Sequence, residues 1–338
     1  NYHKDLFRKG LNLMQKSWRM YAAARRTTPD IFVITSTPPF LGYAAALLSG
    51  KAPVVYKLQD VFPDSLVHSK GLSEKNPLIR LLRKLEKWVY KKCMCIVAVS
   101  DDMKRTLISR GVPEEKISVI YDWVDEKQCV PVAREDNVLF DRFGLPRDGF
   151  YACYAGNIGL LQNVETIIRA SEILAKRRPE IQIVIIGNGA WEENMRAMLQ
   201  ASPHENVHCF PMQPLDQISY VYSLGDVGLV SLKPHITKYA LPSKTWSILS
   251  AGRPAVCEID LCCALKNILE DNGCGYSVAP GDAESLAQVL IDLYDRKEVA
   301  QQMGQAGRTL VEKKLTKEAA IEKYLKLLQT ITIKGANA

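Results

Sequence analysis

Short strand-like and helix-like segments alternate along almost the whole chain, and this alternation limits the fold more than any other feature. The strand-like runs at 31–36, 54–58, 95–99 and 117–120 are mostly apolar, as are those at 151–155, 182–186, 207–210, 227–231, 255–257 and 275–278. A strand that is apolar on both sides has to be covered on both faces. Parallel sheets flanked by helices, the α/β class, meet that demand. The segments form two series. The first opens on a helix at 5–26 and offers about four strands, fewer than the five or six usual for a free-standing doubly wound sheet. The second, from 151 onward, is a complete doubly wound series. Between them 126–149 is polar and carries Pro131, Arg134, Glu135, Asp136, Pro146 and Asp148, which reads as a linker. A length of 338 residues fits two cores better than one. The predicted division is an N-terminal domain at 1–135, incomplete at its start, a C-terminal domain at 136–312 and a helical tail at 313–338. With no initiator Met and an opening helix, an upstream strand, loop and helix are expected in the full protein.

Composition narrows the setting. The chain is 47% hydrophobic and 24% charged, ordinary values for a soluble globular protein. No apolar run approaches the roughly 20 residues that span a bilayer, and no secretory segment opens the chain. A cytoplasmic protein is expected. The nine Cys are an odd number without a regular framework, which argues for reduced thiols. Cys93 and Cys95 lie in a strand-like run with no second Cys or His pair near in sequence, so they read as core residues rather than metal ligands. The net charge of +7 is unevenly spread. Residues 70–92 hold Lys70, Lys75, Arg80, Arg83, Lys84, Lys87, Lys91 and Lys92 against only Glu74 and Glu86. The helical part, 77–92, also carries Leu78, Ile79, Leu81, Leu82, Leu85, Trp88, Val89 and Tyr90. Such a helix either rests on an anionic membrane surface or packs its apolar face on its own sheet. Both readings stay open, with the first placing the protein peripherally on the inner face of the plasma membrane.

In open parallel sheets ligands bind beyond the carboxyl ends of the strands, so the loops there carry the candidate chemistry. Gly156-Asn157-Ile158-Gly159 follows a strand. Its glycines would let backbone N–H groups approach a phosphate, or would simply make a tight turn. Gly187-Asn188-Gly189 follows the next strand and admits the same two readings. Neither completes a dinucleotide fingerprint, which argues against a nicotinamide dehydrogenase. In Leu241-Pro242-Ser243-Lys244, Ser243 reads as an N-cap. Lys244 then falls in a first helical turn, where a cation opposes the helix dipole unless an anion is shared. A diphosphate would satisfy both. Gln59-Asp60-Val61-Phe62-Pro63-Asp64-Ser65 ends an N-terminal strand. Its two carboxylates with Phe62-Pro63 look like a shaped substrate wall.

Several stretches together resemble the family 4 glycosyltransferases of the GT-B fold, two doubly wound Rossmann-like domains facing a cleft. They are Thr37-Pro38-Pro39, the Gln59–Ser65 loop, Val99-Ser100, both glycine turns, Asp226–Val230, Pro242-Ser243-Lys244, Gly252-Arg253-Pro254 and Asn272–Gly275. Within the family they are similar to the bacterial fucosamine transferases of O-antigen and capsule synthesis. The resemblance implies a retaining transfer from a nucleotide-sugar, usually UDP-linked, held by the C-terminal domain. Asn157 and Gly159 would face the diphosphate, with Gly156 in the same turn, and Lys244 with Ser243 and Pro242 would neutralise it. Gly187 and Gly189 would border the nucleotide, with Gln213 near Phe210 and Pro211 as a base wall. Gln59 and Asp60 fall where the family places acceptor-side groups near the anomeric carbon, and Asp60 is the candidate polar partner or base. Phe62 and Asp64 would line the acceptor side. No cofactor or metal is implied, since no DxD motif stands on a strand-end loop. The tail helix, at 312–328, would cross back to the first domain.

The sequence departs from the family in three ways. Many members carry a pair of Glu eight positions apart. Here Ser247 takes the place of the second, and the first falls near Tyr239. Asn157 and Gln162 replace a phosphate-binding Arg and Lys. The Gly-rich N-terminal loop of the family is missing. A polyprenyl-diphosphate-linked acceptor is the expectation from the family and the basic helix, and no nucleic acid partner is expected. The rivals are an enzyme like the UDP-N-acetylglucosamine 2-epimerases and a degenerate, non-catalytic GT-B binding protein.

Overall fold

A computed structural model describes residues 2–38, 40–64, 67, 73, 75–201 and 204–336, with side chains between 11 and 332. Pro39, Ser65, Lys70 and Glu74, named above, lie outside the described residues. The chain forms two compact units. The first comprises the chain up to Tyr121, Lys238–Leu241 and the part from Ala320 onward, and the second holds Asp122–Thr237 and Pro242–Ala319.

In the first unit the elements are α1 (Tyr2–Ala24), β1 (Phe32–Thr35), α2 (Leu41–Leu48), β2 (Val54–Leu58), α3 (Pro77–Lys92), β3 (Cys95–Ala98), α4 (Asp101–Ser109) and β4 (Ile117–Val119). The strands pair in parallel in the order β1-β2-β3-β4. The two-residue period of a strand sorts its side chains. Val54, Tyr56 and Leu58 enter a core with Ala45 and Leu48 of α2, Val89 of α3 and Met103 and Leu107 of α4. Val55, Cys95 and Val97 point the other way, onto Ala320, Tyr324, Leu327 and Ile331. These last belong to the final helix, which runs Lys317–Ala336, five residues later than the expected start at 312. Local signals fix the helix starts. Asn76 accepts from the Leu78 N–H at 2.9 Å with Pro77 at the first helical position, and Ser100 accepts from the Met103 N–H at 3.1 Å. Cys93 and Cys95 are buried thiols outside any disulfide among the described residues, and burial pushes Cys93 up to about 12.

In the second unit the elements are α5 (Leu139–Phe143), β5 (Phe150–Ala155), α6 (Val164–Arg177), β6 (Ile181–Ile186), α7 (Glu192–Ala201), β7 (Val207–Phe210), α8 (Ile218–Ser223), β8 (Val227–Ser231), α9 (Lys244–Ser250), β9 (Ala255–Glu258), α10 (Ala264–Asp271), β10 (Gly275–Val278), α11 (Ala283–Asp295) and α12 (Lys297–Lys314). The parallel sheet has the order β10-β9-β8-β5-β6-β7. The first strand in sequence is thus central, and the winding reverses between β5 and β8. At such a reversal the loops on the two sides diverge and leave a crevice.

The predicted linker is part of this second unit, and the expected boundary at 135 falls inside it. The Val130 and Val132 N–H groups donate to Ser219 and Ser223 Oγ, each at 3.0 Å. Arg308 donates to the carbonyls of Glu126 and Cys129, each at 3.0 Å. Polar composition marked a segment whose backbone is paired with side chains far away in sequence, and the division comes earlier, at Tyr121.

Candidate functional site

The crevice at the reversal is built from the turns after β5 and β6 and the start of α9. The two glycine turns are locked together by backbone. Gly156 N–H donates to Ile186 O at 2.9 Å, Ile158 N–H to Asn188 O at 2.8 Å and Gly187 N–H to Phe210 O at 3.0 Å. A Cβ at Gly187 would lie 1.9 Å from Gly156 O, and one at Gly189 would lie 2.3 Å from Ile158 O. Gly187 and Gly189 are therefore required for close packing of two turns. The Gly156, Ile158 and Gly187 N–H groups are engaged inside the protein, so the glycines shape the crevice and these donors do not line it. Gly156 has φ +132°, which only glycine adopts readily. Asn157 is exposed at the rim, and its carbonyl accepts from the Tyr154 hydroxyl at 2.6 Å. Gly159 is buried between the side chains of Asn157 and Gln162.

Lys244 enters this crevice from the first residue of α9. Its Nζ lies 3.7 Å from the centroid of the Tyr154 ring and would stand 3.1 Å from a Cβ on Gly156. The ammonium nitrogen is buried and has no hydrogen-bond or ion-pair partner among the described residues. Loss of water pushes Lys244 down to about 7, partly opposed by the Cys153 and Cys257 thiols. A buried cation facing only an aromatic ring is poorly compensated, and an anion arriving in the crevice would supply the missing partner.

Ser243 departs from its expected role. Its backbone is already helical, and its side chain makes no capping bond. Pro242 O instead accepts from the Thr245 N–H and hydroxyl, at 3.1 and 2.8 Å. Ser247, one turn along from Lys244, hydrogen-bonds Tyr222. Gln213 sits outside the locked turns, donating to Pro211 O at 2.7 Å and accepting from Arg142 at 3.2 Å. Beside it Phe210 stacks on Phe143, with centroids 3.8 Å apart and planes 6° from parallel.

Sequence reasoning missed Tyr154, Phe143 and Glu258. Glu258 ends β9 and is fully buried. It accepts from Asn163 at 2.6 Å, from the Gly281 N–H at 2.6 Å and from Ser231, so one carboxylate ties the loops after β5 and β10 to the end of β8. Burial raises it, against those hydrogen bonds. A strand-end Glu in an apolar run was the available signal. Among the described residues no three His, Cys, Asp or Glu side chains are grouped to hold a metal ion.

The remaining predicted residues lie in the first unit, on the loop after β2. Gln59 N–H donates to Ser36 Oγ at 2.9 Å. Asp60 is exposed and bridges Ala240 through its backbone, and Val61 N–H donates to Tyr239 O at 3.0 Å. Phe62 meets Phe40 edge-on, with centroids 6.4 Å apart. Asp64 does not share Asp60's exposure. Its side chain is 2% exposed and is held by Arg83 and Arg110, each at 2.6 Å. The expected wall of two carboxylates thus separates into one exposed group and one buried ion-pair anchor, because the chain turns inward at Pro63.

The model of the glycosyl transferases group 1 matches residues 136–310, and that of glycosyltransferase family 4 matches residues 4–128. The chain belongs to the family 4 glycosyltransferases. Two relatives illustrate the family's range. WbjE of Pseudomonas aeruginosa, described as a probable glycosyltransferase, is 23% identical over 298 residues, 88% of this chain and 72% of that protein. WcaI of Escherichia coli (strain K12), named for colanic acid biosynthesis glycosyl transfer, is 27% identical over 271 residues, 78% of this chain and 66% of that protein. Among solved structures, Anabaena Alr3699/HepE in complex with UDP-glucose superposes with a TM-score of 0.76 at 15% identity, covering 93% of this chain and 82% of that one. The shared fold is GT-B, with two Rossmann-like units.

Proposed function

We propose that the protein is a retaining glycosyltransferase of cell-surface polysaccharide synthesis that takes its sugar from a UDP-linked donor. The observation that carries this reading is Lys244, whose buried amine has no hydrogen-bond partner among the described residues and stands beside Gly156 at the reversal of a parallel sheet. A donor diphosphate would supply the missing counter-charge. As the anomeric C–O bond breaks, negative charge grows on the departing diphosphate, so its attraction to Lys244 is greater in the transition state than in the ground state. This reading assigns the charge stabilisation to Lys244 and needs no metal. The Phe143–Phe210 stack beside Gln213 supports a base wall. Asp60, exposed on the loop after β2, would receive the acceptor hydroxyl proton while the acceptor oxygen bonds the anomeric carbon on the face the donor leaves. HepE, which shares the fold, is seen with UDP and with UDP-glucose, and the name of WcaI refers to colanic acid biosynthesis.

The acceptor in this reading is a saccharide or lipid-linked saccharide, reached at an anionic membrane face. Among the described residues no helix is long and apolar enough to cross a membrane. Support for a surface contact comes from α3, whose Leu78, Leu81, Leu85 and Trp88 remain 59, 53, 38 and 37% exposed although its opposite side is buried. Calorimetric titration of UDP, GDP and NAD into the wild type and Lys244→Ala tests the donor site. UDP should bind best and lose at least about tenfold in affinity in the variant, the scale of one charge-assisted bond. No UDP binding, or equal binding by the variant, removes the assignment. Ser247, bonded to Tyr222 in place of the family's Glu, favours a second reading, a binding protein without turnover. UDP binding with no sugar transfer or donor hydrolysis would select it.

A further inference from the structure

A hollow of about 210 Å³ lies at the other end of the second unit's sheet from Lys244. It is lined by Phe150, Asp226, Arg253, Pro254, Lys297 and Gln301, all of one unit. Phe150 opens β5, Asp226 and Pro254 directly precede β8 and β9, and Lys297 and Gln301 belong to the first turns of α12. These are the amino ends of the strands, whereas the glycine turns and Lys244 stand at the carboxyl ends. Asp226 is already satisfied, since its carboxylate accepts from Arg134 and, at 2.8 Å, from the Tyr151 N–H. Arg253 is not. Its Nη2 donates to Ser223 O at 3.0 Å and to Val132 O at 3.5 Å, while its buried Nε and its Nη1 make no bond among the described residues. Burial lowers its pKa, Asp226 raises it and Arg134 lowers it again, but a guanidinium keeps its proton at any physiological pH. Lys297 is exposed, with Nζ 5.0 Å from the centroid of the Tyr294 ring. With Asp226 paired to Arg134, Arg253 and Lys297 bring two positive charges to a hollow whose wall holds no further carboxylate.

We propose that this hollow is a second anion site, which takes a phosphoryl group, free or carried by a small metabolite, between Arg253 and Lys297. A guanidinium edge with an ammonium beside it matches the oxygens of a phosphoryl group. Two cations without a counter-charge favour a dianion over a monocarboxylate. Size limits the carrier, since the hollow is smaller than the roughly 300–1,000 Å³ of sites for drug-sized ligands. A three-carbon phosphate ester suits it and a nucleotide-sugar does not. Phosphoryl binding here is independent of the transferase reading, because no lining residue belongs to the donor crevice.

The test is calorimetric titration of inorganic phosphate, glycerol 3-phosphate and acetate into the Lys244→Met chain, whose nucleotide crevice has lost its cation. Both phosphoryl ligands should bind with dissociation constants of about a millimolar or below, and acetate at least roughly tenfold more weakly. Lys297→Met, at an exposed position, should weaken both phosphoryl ligands roughly three- to tenfold. Arg253→Gln should abolish their binding, with urea unfolding to show that the variant is folded. If it is not, Lys297→Met decides. Tighter binding of glycerol 3-phosphate assigns the site to a phosphate ester, and tighter binding of phosphate to the free ion. No binding of either overturns the proposal, as does binding unchanged by Lys297→Met. Acetate binding equal to phosphate overturns the phosphoryl assignment. In the wild type UDP should bind equally well at saturating glycerol 3-phosphate, and competition between the two would place the anion in the donor crevice and overturn a separate site. Phosphoryl binding without any UDP binding would remove the donor reading and leave this one standing.

Discussion

Lys244 sets a stability cost in the free protein, which the proposed donor would relieve. Its native value near 7 lies below the ordinary 10.5, so between these values the unfolded chain holds a proton that the native chain does not. Stability should therefore rise with pH across that window, and the penalty is complete below it. Lys244→Met should stabilise the free protein at neutral pH by roughly 2–4 kcal/mol and flatten the rise toward pH 10. Urea unfolding across this range measures both, and a variant no more stable than the wild type would contradict the burial of an unpartnered charge. Gly187 makes a contrasting case, since its missing side chain is what lets Gly156 O approach. Gly187→Ala should cost roughly 2–4 kcal/mol and lower UDP affinity together with stability, read by the same unfolding curves and by titration. At this scale the sequence showed where chemistry collects but not how each group is satisfied. Lys244 was legible as a cation in a first helical turn. The fate of Asp64 was not, because Arg83 of α3 and Arg110, just past the end of α4, approach it from 19 and 46 residues away in sequence. Nor did Ser243 reveal that a threonine two positions on takes over the bonding at the start of α9.

Among the elements, α3 carries two apolar stripes. Ile79, Val89 and Tyr90 face the core, while Leu78, Leu81, Leu85 and Trp88 repeat at helical spacing on the exposed side among Arg80, Lys84, Lys87 and Lys91. The two readings left open by the sequence are thus compatible, since different faces of one helix would serve them. Changing Leu81 and Leu85 together to Gln should leave thermal stability within about 1 kcal/mol and reduce binding to phosphatidylglycerol vesicles at least roughly tenfold. Vesicle sedimentation at low and high salt checks this. Binding by the double variant equal to wild type would show that α3 does not meet the membrane. The strands of the second unit were legible nearly residue for residue, because continuous apolar runs bounded by glycine leave little choice. The segment at 126–149 was misjudged because hydrogen bonds to Ser219, Ser223 and Arg308 can make a polar stretch part of a folded unit.

For the whole molecule, two parallel sheets and the family match settle the class of fold, and the proposed chemistry rests on one buried cation in the second sheet's crevice. Most of that crevice is closed on itself. The glycine turns bond each other, and Glu258 binds two loops to the end of β8. Lys244 is left over beside Tyr154 and Gly156, without a hydrogen-bond partner among the described residues. If a nucleotide diphosphate completes it, the lysine must regain a proton on binding at any pH well above 7. The direct measurement is the calorimetric enthalpy of UDP binding at about pH 8.5 in buffers of different ionisation enthalpy, for wild type and Lys244→Met. The account predicts uptake of about one proton per UDP bound by the wild type and none by the variant. UDP binding without proton uptake, or with the same uptake after Lys244 is removed, would contradict it.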